Sequence, residues 1–486
     1  MLTGSLNALE ERRLNEPAPQ SGIEYLSKAG TIQLPTEDGT MYSKRKDICP
    51  STPPFSVAPL EDYASIVGEQ KMERLAEVAE KSKGVKILEL NSAPIGGGVA
   101  EMLLSSVPFL NHLGVDDEWK VIRGAKPFYE VTKGIHNLLQ CRGGTFTSEM
   151  ERIYFENLKE NVDANIIDYD PDVVVVHDPQ PLGLSPGLHE KQTKQAKWLW
   201  RCHIDMDEES FNANPALEYF ITYWLEHYDG AIFSAAHYII CRWPFPKFII
   251  PPYIDPLSEK NKELGQVEIE AVLEKHGIEP GIPIISQIGR FDPWKGITAT
   301  VEAYRIARKS VKCQLVLAGC LAPDDPEGET ILADIKRRTK GDPDVHILNL
   351  PPTSSLEINA IQRASQVVMQ PSIKEGFGLT VTEALWKGKP VIASPVGGIS
   401  LQLRDGEYGY FHTNPKDSAE RIVYLLTNPR AAEFMGRKGS DYVREHFLLP
   451  DRIADYLKAI LIIRETKLDP ESIVSFHSWH KLDKRK

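Results

Sequence analysis

From about residue 85 the chain alternates short apolar runs with a glycine- or proline-bearing turn and then an amphipathic stretch. Short apolar runs bounded by turn residues read as buried strands, and the longer periodic stretches between them read as helices. In the first half the candidate strands are Val85–Leu90, Asp172–His177, Trp198–His203 and Ala231–Phe233. Trp243-Pro244-Phe245-Pro246 and Pro251-Pro252 then read as a strand end followed by an interdomain linker. A second series offers Pro283–Ile288, Gln314–Ala318, Val345–Leu348, Val367–Gln370 and Pro390–Ala393. Strand–helix alternation predicts parallel sheets with crossover helices, and two separate series predict an α/β protein of two doubly wound, Rossmann-like domains. A single open sheet of that many strands would be unusually large.

The expected division is a polar extension over residues 1–55, a first domain over 56–250, a second over 251–450, and a C-terminal helix and tail over 451–486. The extension is punctuated by Pro17, Pro19, Pro35, Pro50, Pro53 and Pro54, which leave little room for long helices. Ile453, Tyr456, Leu457, Ile460 and Leu461 recur at helical spacing and should bury one face. Which domain that helix covers cannot be read from the period, and a return onto the first domain is one option.

Composition narrows the class. The 486 residues, 42% hydrophobic and 26% charged, are ordinary for globular domains and exclude disorder or collagen-like repeats for the chain as a whole. A formal net charge of −12 opposes nonspecific attraction to nucleic acid or anionic membranes. The longest apolar runs, such as Val173–Val176, fall far short of a bilayer span, and residues 1–16 lack the apolar core of a secretory signal, so a cytoplasmic protein is expected. Cys49, Cys141, Cys202, Cys241, Cys313 and Cys320 form no CxxC pair, which predicts reduced thiols and neither a disulfide framework nor a zinc site.

Three strand-to-helix turns carry candidate chemistry. Gly96-Gly97-Gly98 follows the strand ending near Asn91 and precedes a helix-like run from Val99 to Val107. A loop without β-carbons lets backbone N–H groups approach an anion, although the dinucleotide fingerprint GxGxxG is not met and a packing turn explains it equally well. Gly289–Gly296 places Arg290 and Lys295 in the turn after the second domain's opening strand, where open α/β sheets bind ligands. Arginine offers a planar fork and lysine a point charge, so a diphosphate is the natural partner. The third turn, Lys374-Glu375-Gly376-Phe377-Gly378-Leu379, is followed by Glu383, eight residues beyond Glu375 and expected about two helical turns inside the next helix. The glycines clear space for loop amides, the first carboxylate suits sugar hydroxyls and the second suits ribose hydroxyls.

The two glutamates around Gly376–Leu379, the strand Pro390–Ala393 with Gly397-Gly398, and the cations Arg290 and Lys295 resemble the retaining GT-B glycosyltransferases of the glycogen synthase and sucrose synthase type. The resemblance spans roughly residues 85 to 450. Asn91 with Gly96–Glu101, His177-Asp178-Pro179-Gln180-Pro181 and Arg201-Cys202-His203-Ile204-Asp205 look closer still to the trehalose glycosyltransferring synthases, a set shared in large part with fungal-type trehalose phosphorylases.

The resemblance implies two domains facing a cleft and transfer of glucose from a UDP-, ADP- or GDP-activated donor to free glucose, giving trehalose reversibly. It implies a donor site of Gly97, Gly98, Arg290, Lys295, Glu375, Gly376, Phe377, Gly378, Leu379 and Glu383, with Glu375, His203, Arg290 and Lys295 at the reacting centre. Asp178, Gln180 and Asn91 are the candidates for the acceptor. No cofactor or bound metal is expected, magnesium being at most a stimulant. Asp205-Met206-Asp207 is read as part of an acidic surface loop, because the cationic pair already neutralises a diphosphate. A homodimer is expected from the same likeness. The rival activities are phosphorolysis of trehalose, a sugar-nucleotide-binding protein without turnover, and a nicotinamide-dependent oxidoreductase, the last disfavoured because no GxGxxG follows a candidate strand.

Overall fold

The computed structural model describes residues 57–141, 143–167, 170–185, 195–206, 208–321 and 327–477. The extension expected over residues 1–55, Asp207 and residues 478–486 of the tail lie outside them. Among the described residues thirteen strands form two sheets in which every pairing is parallel. The first sheet contains β1 (Lys86–Asn91), β2 (Asp116–Val121), β3 (Val173–His177), β4 (Lys197–Cys202), β5 (Gly230–Phe233), β6 (Lys247–Ile249) and β13 (Ile473–Ser475). The second contains β7 (Ile284–Ile288), β8 (Gln314–Gly319), β9 (Val345–Asn349), β10 (Val367–Gln370), β11 (Val391–Ala393) and β12 (Gly409–Phe411).

The strand orders are β13-β6-β5-β4-β3-β1-β2 and β12-β11-β10-β7-β8-β9. Each reverses direction of growth beside its opening strand, and such switch points leave a crevice at the carboxyl ends where ligands settle. The run of four valines in β3 shows why these strands lack polar alternation. Val174 and Val176 enter one apolar layer and Val173 and Val175 the opposite one, so both faces are covered by helices.

Four strands had no counterpart in the sequence reading. β2 reads Asp-Asp-Glu-Trp-Lys-Val, which lacks an apolar run, and β6, β12 and β13 are only three residues each. The last of them shows where the chain's end goes. Helix Leu449–Glu465 packs on helix Glu69–Ser82 and contributes Leu449, Ile453, Tyr456, Leu457 and Ile460 to the core of the first sheet. β13 then pairs with β6 at the edge of that sheet.

Buried charges fasten this return. Arg452, fully buried, reaches Asp455 at 2.9 Å and Asp451 beside it, Arg74 of the facing helix bonds the same two aspartates, and His477 lies 2.8 Å from Asp455. Among the described residues no helix is long and apolar enough to cross a membrane. The cysteines described, Cys141, Cys202, Cys241, Cys313 and Cys320, are free thiols.

Leu457 is fully buried between the first sheet and helix Glu69–Ser82. Leu457→Ala should therefore destabilise the first lobe by about 2–5 kcal/mol. Urea unfolding followed with tryptophan fluorescence checks this, because Trp119, Trp198, Trp200, Trp224 and Trp243 all belong to that lobe.

Candidate active site

The carboxyl ends of β1, β3 and β4 face those of β7, β8 and β10 across a cavity of about 340 Å³. Every site residue expected from the sequence lines it. What each side chain does there differs.

At the exit of β4 the two lobes meet backbone to backbone. A β-carbon at Gly376 would lie 2.0 Å from the carbonyl oxygen of His203, so only glycine lets the second lobe's loop meet the exit of β4. Tyr238 of the first lobe donates its hydroxyl to the Gly376 carbonyl at 2.7 Å and pins the same loop. Gly378 follows with φ +84 and opens helix Leu379–Trp386. That start corrects the position of Glu383: half of its separation from Glu375 is loop, and Glu383 is the fifth residue of the helix rather than two turns inside it. Phe377 is buried behind the loop, and the side chain of Leu379 meets the glycine run 3.3 Å from where a β-carbon on Gly98 would sit.

Glu375 is held by three side chains through four hydrogen bonds. Lys295 Nζ donates to both carboxylate oxygens at 2.8 and 2.7 Å, Ser372 Oγ to Oε2 at 3.0 Å, and Gln370 Nε2 to Oε2 at 3.3 Å. The turn bearing Lys295 is rigid, because Asp292 accepts from the Trp294 amide at 2.8 Å and Gln287 donates to the Lys295 carbonyl at 2.7 Å. Arg290 enters the cavity from the same turn, 3.9 Å from Asp292. The first lobe reaches over to that turn through Lys133, 3.2 Å from Asp292, and Asn137, which accepts from the Trp294 indole at 3.3 Å. Burial, reinforced by the Lys133 and Arg290 cations, pushes His136 on the same helix down to about 3, so it lines the cavity as a neutral ring.

Glu383 is buried beside Lys260, whose ammonium lies 3.0 Å from it and bonds both oxygens of Glu101 in the first lobe at 2.9 Å. Burial alone would discharge Lys260, and the two carboxylates overcome it and hold the lysine charged. Gln362 donates to the other Glu383 oxygen at 3.2 Å. Neither Lys260 nor Glu101 was assigned a role from the sequence. Lys260 sits alone in an irregular segment with no pattern to single it out.

Among the expected acceptor residues, Asn91 helps shape its own loop, accepting from the Trp119 indole at 2.9 Å and donating to the Ala93 carbonyl at 2.7 Å. Gln180 presents a buried side-chain oxygen that has no hydrogen-bond partner among the described residues, the condition in which an incoming hydroxyl is most useful. Asp178 holds φ +60 and takes the His203 amide on Oδ1 at 2.7 Å. Burial pushes its carboxyl up to about 7. Among the described residues no cluster of three or more His, Cys, Asp or Glu side chains is arranged to hold a metal ion.

Residues 89–240 match the family model "Trehalose synthase, N-terminal domain" and residues 268–441 match "Glycosyl transferases group 1". A trehalose synthase of Pyrococcus horikoshii is 44% identical over 407 residues, 82% of this chain and 95% of that protein. A trehalose phosphorylase of Pleurotus pulmonarius is 30% identical over 437 residues, 80% of this chain and 58% of that protein. Among solved structures, a sucrose-phosphate synthase of Thermosynechococcus elongatus superposes with a TM-score of 0.58 at 20% identity, covering 77% of this chain and 98% of that one, a likeness of fold alone.

Two expectations follow from the geometry. Gly376→Ala must push the loop off the His203 carbonyl, and a displacement near 1 Å at a reacting centre lowers turnover by on the order of 10²-fold. Catalysis should fall while the melting temperature stays near that of the parent, which steady-state kinetics beside calorimetry would show. The second concerns Asp178, which titrates near 7 when folded against an ordinary value of 3.8. The folded state then binds the extra proton between those values, so stability is lost as pH rises through that window. Asparagine keeps the acceptor for the His203 amide and has no such loss. The melting temperature of Asp178→Asn relative to the parent should increase from pH 5 to pH 8, and a flat difference would contradict the assignment.

Proposed function

Because this chain belongs to the trehalose synthase family of GT-B glycosyltransferases, we propose that it joins glucose from a nucleoside diphosphate glucose to free glucose, forming trehalose with retention at the donor carbon. One observation carries the assignment of residues: the Arg290–Lys295 turn and the Glu375 loop of one lobe meet His203, Asp178 and Gln180 of the other in a single cleft. The higher identity to a synthase, 44% against 30% for a phosphorylase, favours the nucleotide-linked donor over inorganic phosphate.

In this reading Arg290 and Lys295 grip the diphosphate, helped by the amides of Gly97 and Gly98 at the start of their helix. Glu383 takes the ribose hydroxyls, kept in place by Lys260. The loop Gly376-Phe377-Gly378-Leu379 seats the donor, and Glu375 holds its sugar hydroxyls and sets negative charge near the cation that develops on the ring. The acceptor glucose lies against Asp178 and Gln180, while Asn91 shapes the loop beside it. The bond from C1 to the phosphate oxygen breaks, the bond from C1 to the acceptor oxygen forms on the same face, and the acceptor's proton passes to the departing phosphate. His203 lies beside the reacting carbon. Contacts across the cleft exclude water that would otherwise hydrolyse the donor.

Incubating the protein with UDP-, ADP- or GDP-glucose and free glucose should yield trehalose and the matching nucleoside diphosphate, read by NMR of the product anomers. Glucose 1-phosphate formed from trehalose and phosphate, with nucleotides without effect, would establish phosphorolysis instead. Lys295→Ala and Glu375→Ala should each lower transfer by on the order of 10³-fold, the scale of losing a charge partner at a transition state. Full activity in both variants would remove the site assignment.

A further inference from the structure

Behind the cleft, a line of buried side chains runs from the C-terminal helix to His203. Tyr456 donates its hydroxyl to Glu89 Oε1 at 2.6 Å, Glu89 Oε2 lies 2.7 Å from His177 Nε2, and His177 Nδ1 lies 3.0 Å from His203 Nε2. Glu89, His177 and Tyr456 are each 1% exposed, and the two imidazole rings are parallel to within 4°. The far end of the line is anchored separately, because the His203 amide is held by Asp178 at 2.7 Å.

The direction of the hydrogen bonds follows from what each atom can do. Tyr456 donates to a carboxylate that can only accept, so the Glu89 oxygen facing His177 must receive a proton from His177 Nε2. Burial, and after it the Arg201 cation, lower the proton affinity of His177 and His203 despite the opposing pull of Glu89 on His177, so both rings are neutral. A neutral ring with its hydrogen on Nε2 keeps a lone pair on Nδ1, and His177 Nδ1 therefore accepts from His203 Nε2–H. The charged and titratable groups packed around the line are consistent with this. The Arg201 guanidinium lies over the rings of Tyr456 and Tyr253 at 5.5 and 5.8 Å, and Asp117, beside Glu89, is pushed up by burial and by the Glu89 charge.

We propose that Glu89 and His177 are positioning residues for sugar transfer: their hydrogen-bonded line locks His203 in the Nε2–H tautomer, leaving Nδ1 as an acceptor for a substrate hydroxyl. Without the Glu89 carboxylate the line could run in either direction. His203 would then present a donor part of the time, and a sugar hydroxyl that donates to it would lose its partner. The role in transfer rests on the function proposed above, whereas the tautomer does not.

The test reads the two separately. Protein labelled with ¹⁵N-histidine, with the His203 signals assigned by their loss in His203→Ala, should show a protonated Nε2 and an unprotonated Nδ1 in the absence of any substrate. A protonated Nδ1 in the parent protein would overturn the proposal whether or not the protein makes trehalose. In Glu89→Gln, where the amide can either accept from or donate to His177, the same spectrum should show mixed tautomers. The value of kcat should fall by about 10- to 100-fold, as for loss of a supporting partner behind a reacting group. KM for the nucleotide-glucose should stay within about threefold, since the diphosphate and ribose contacts that supply most of its binding do not involve His203. An unchanged tautomer with unchanged kcat in Glu89→Gln would also overturn it. Should that variant fail to fold, the parent spectrum still decides the tautomer.

Discussion

The backbone of Gly376 lies against the backbone carbonyl of His203, at a distance that leaves no room for a side chain. That approach sets the register of the two lobes in the cleft, because it fixes a loop that delivers Glu375 on one side and starts the helix of Glu383 on the other. Tyr238 bonds the same loop from the first lobe, and the left-handed turn at Gly378 converts the loop into a helix within two residues. Both carboxylates are thereby referenced to β4 rather than to their own sheet alone. A site assembled from loops of two lobes gains precision when the loops touch through backbone, whose geometry varies less than that of long side chains.

Ion pairs across the cleft supplement this contact. Lys133 of the first lobe meets Asp292 of the second, and Lys260 of the second meets Glu101 of the first, so each lobe gives one cation and takes one. Both pairs are largely withdrawn from water, so the cost of desolvating the charges offsets much of their attraction and their net contribution to stability is small. Their value lies in orientation, since each partner also touches the site. Asp292 shapes the turn that carries Lys295, and Lys260 holds Glu383. The seating of one lobe against the other and the arrangement of Lys295 and Glu383 therefore depend on the same few atoms.

Much of the fold was legible because buried parallel strands are apolar on both faces, as the four valines of β3 show. β2 escaped because an edge strand carrying Asp116, Asp117, Glu118 and Lys120 has no apolar run, and β6, β12 and β13 are three residues each with a polar or glycine position among them, whereas the equally short β11 is wholly apolar and was found. In the site, residues gathered in strand-to-helix turns were found by their glycine spacing. Lys260 and Tyr238 were not, since their contacts join positions 123 and 138 residues apart and no local pattern encodes such a distance. The His177–Glu89 pair lay hidden for the same reason, although both residues belong to strands that the apolar pattern did locate. Asn91 was placed in the cleft, but its two bonds to Trp119 and Ala93 belong to tertiary structure that its position in the sequence does not reveal.

The return of the chain to the first lobe gives these observations a common frame. Among the described residues the chain passes between the lobes twice, after β6 and at Phe447–Leu449, and the two crossings run side by side. Ile254 donates to the Phe447 carbonyl and accepts from the Leu449 amide, both at 3.0 Å. Two adjacent, hydrogen-bonded connections restrict relative motion of the lobes to rotation about that point far more than a single linker would. Beyond the second crossing, helix Leu449–Glu465 buries Tyr456 against Glu89 within the first lobe. The segment that completes the hinge thus also ends the line of hydrogen bonds leading to His203. A change in how that helix seats would reach His203 through Tyr456, Glu89 and His177, without passing through the Lys295 turn or the Glu375 loop.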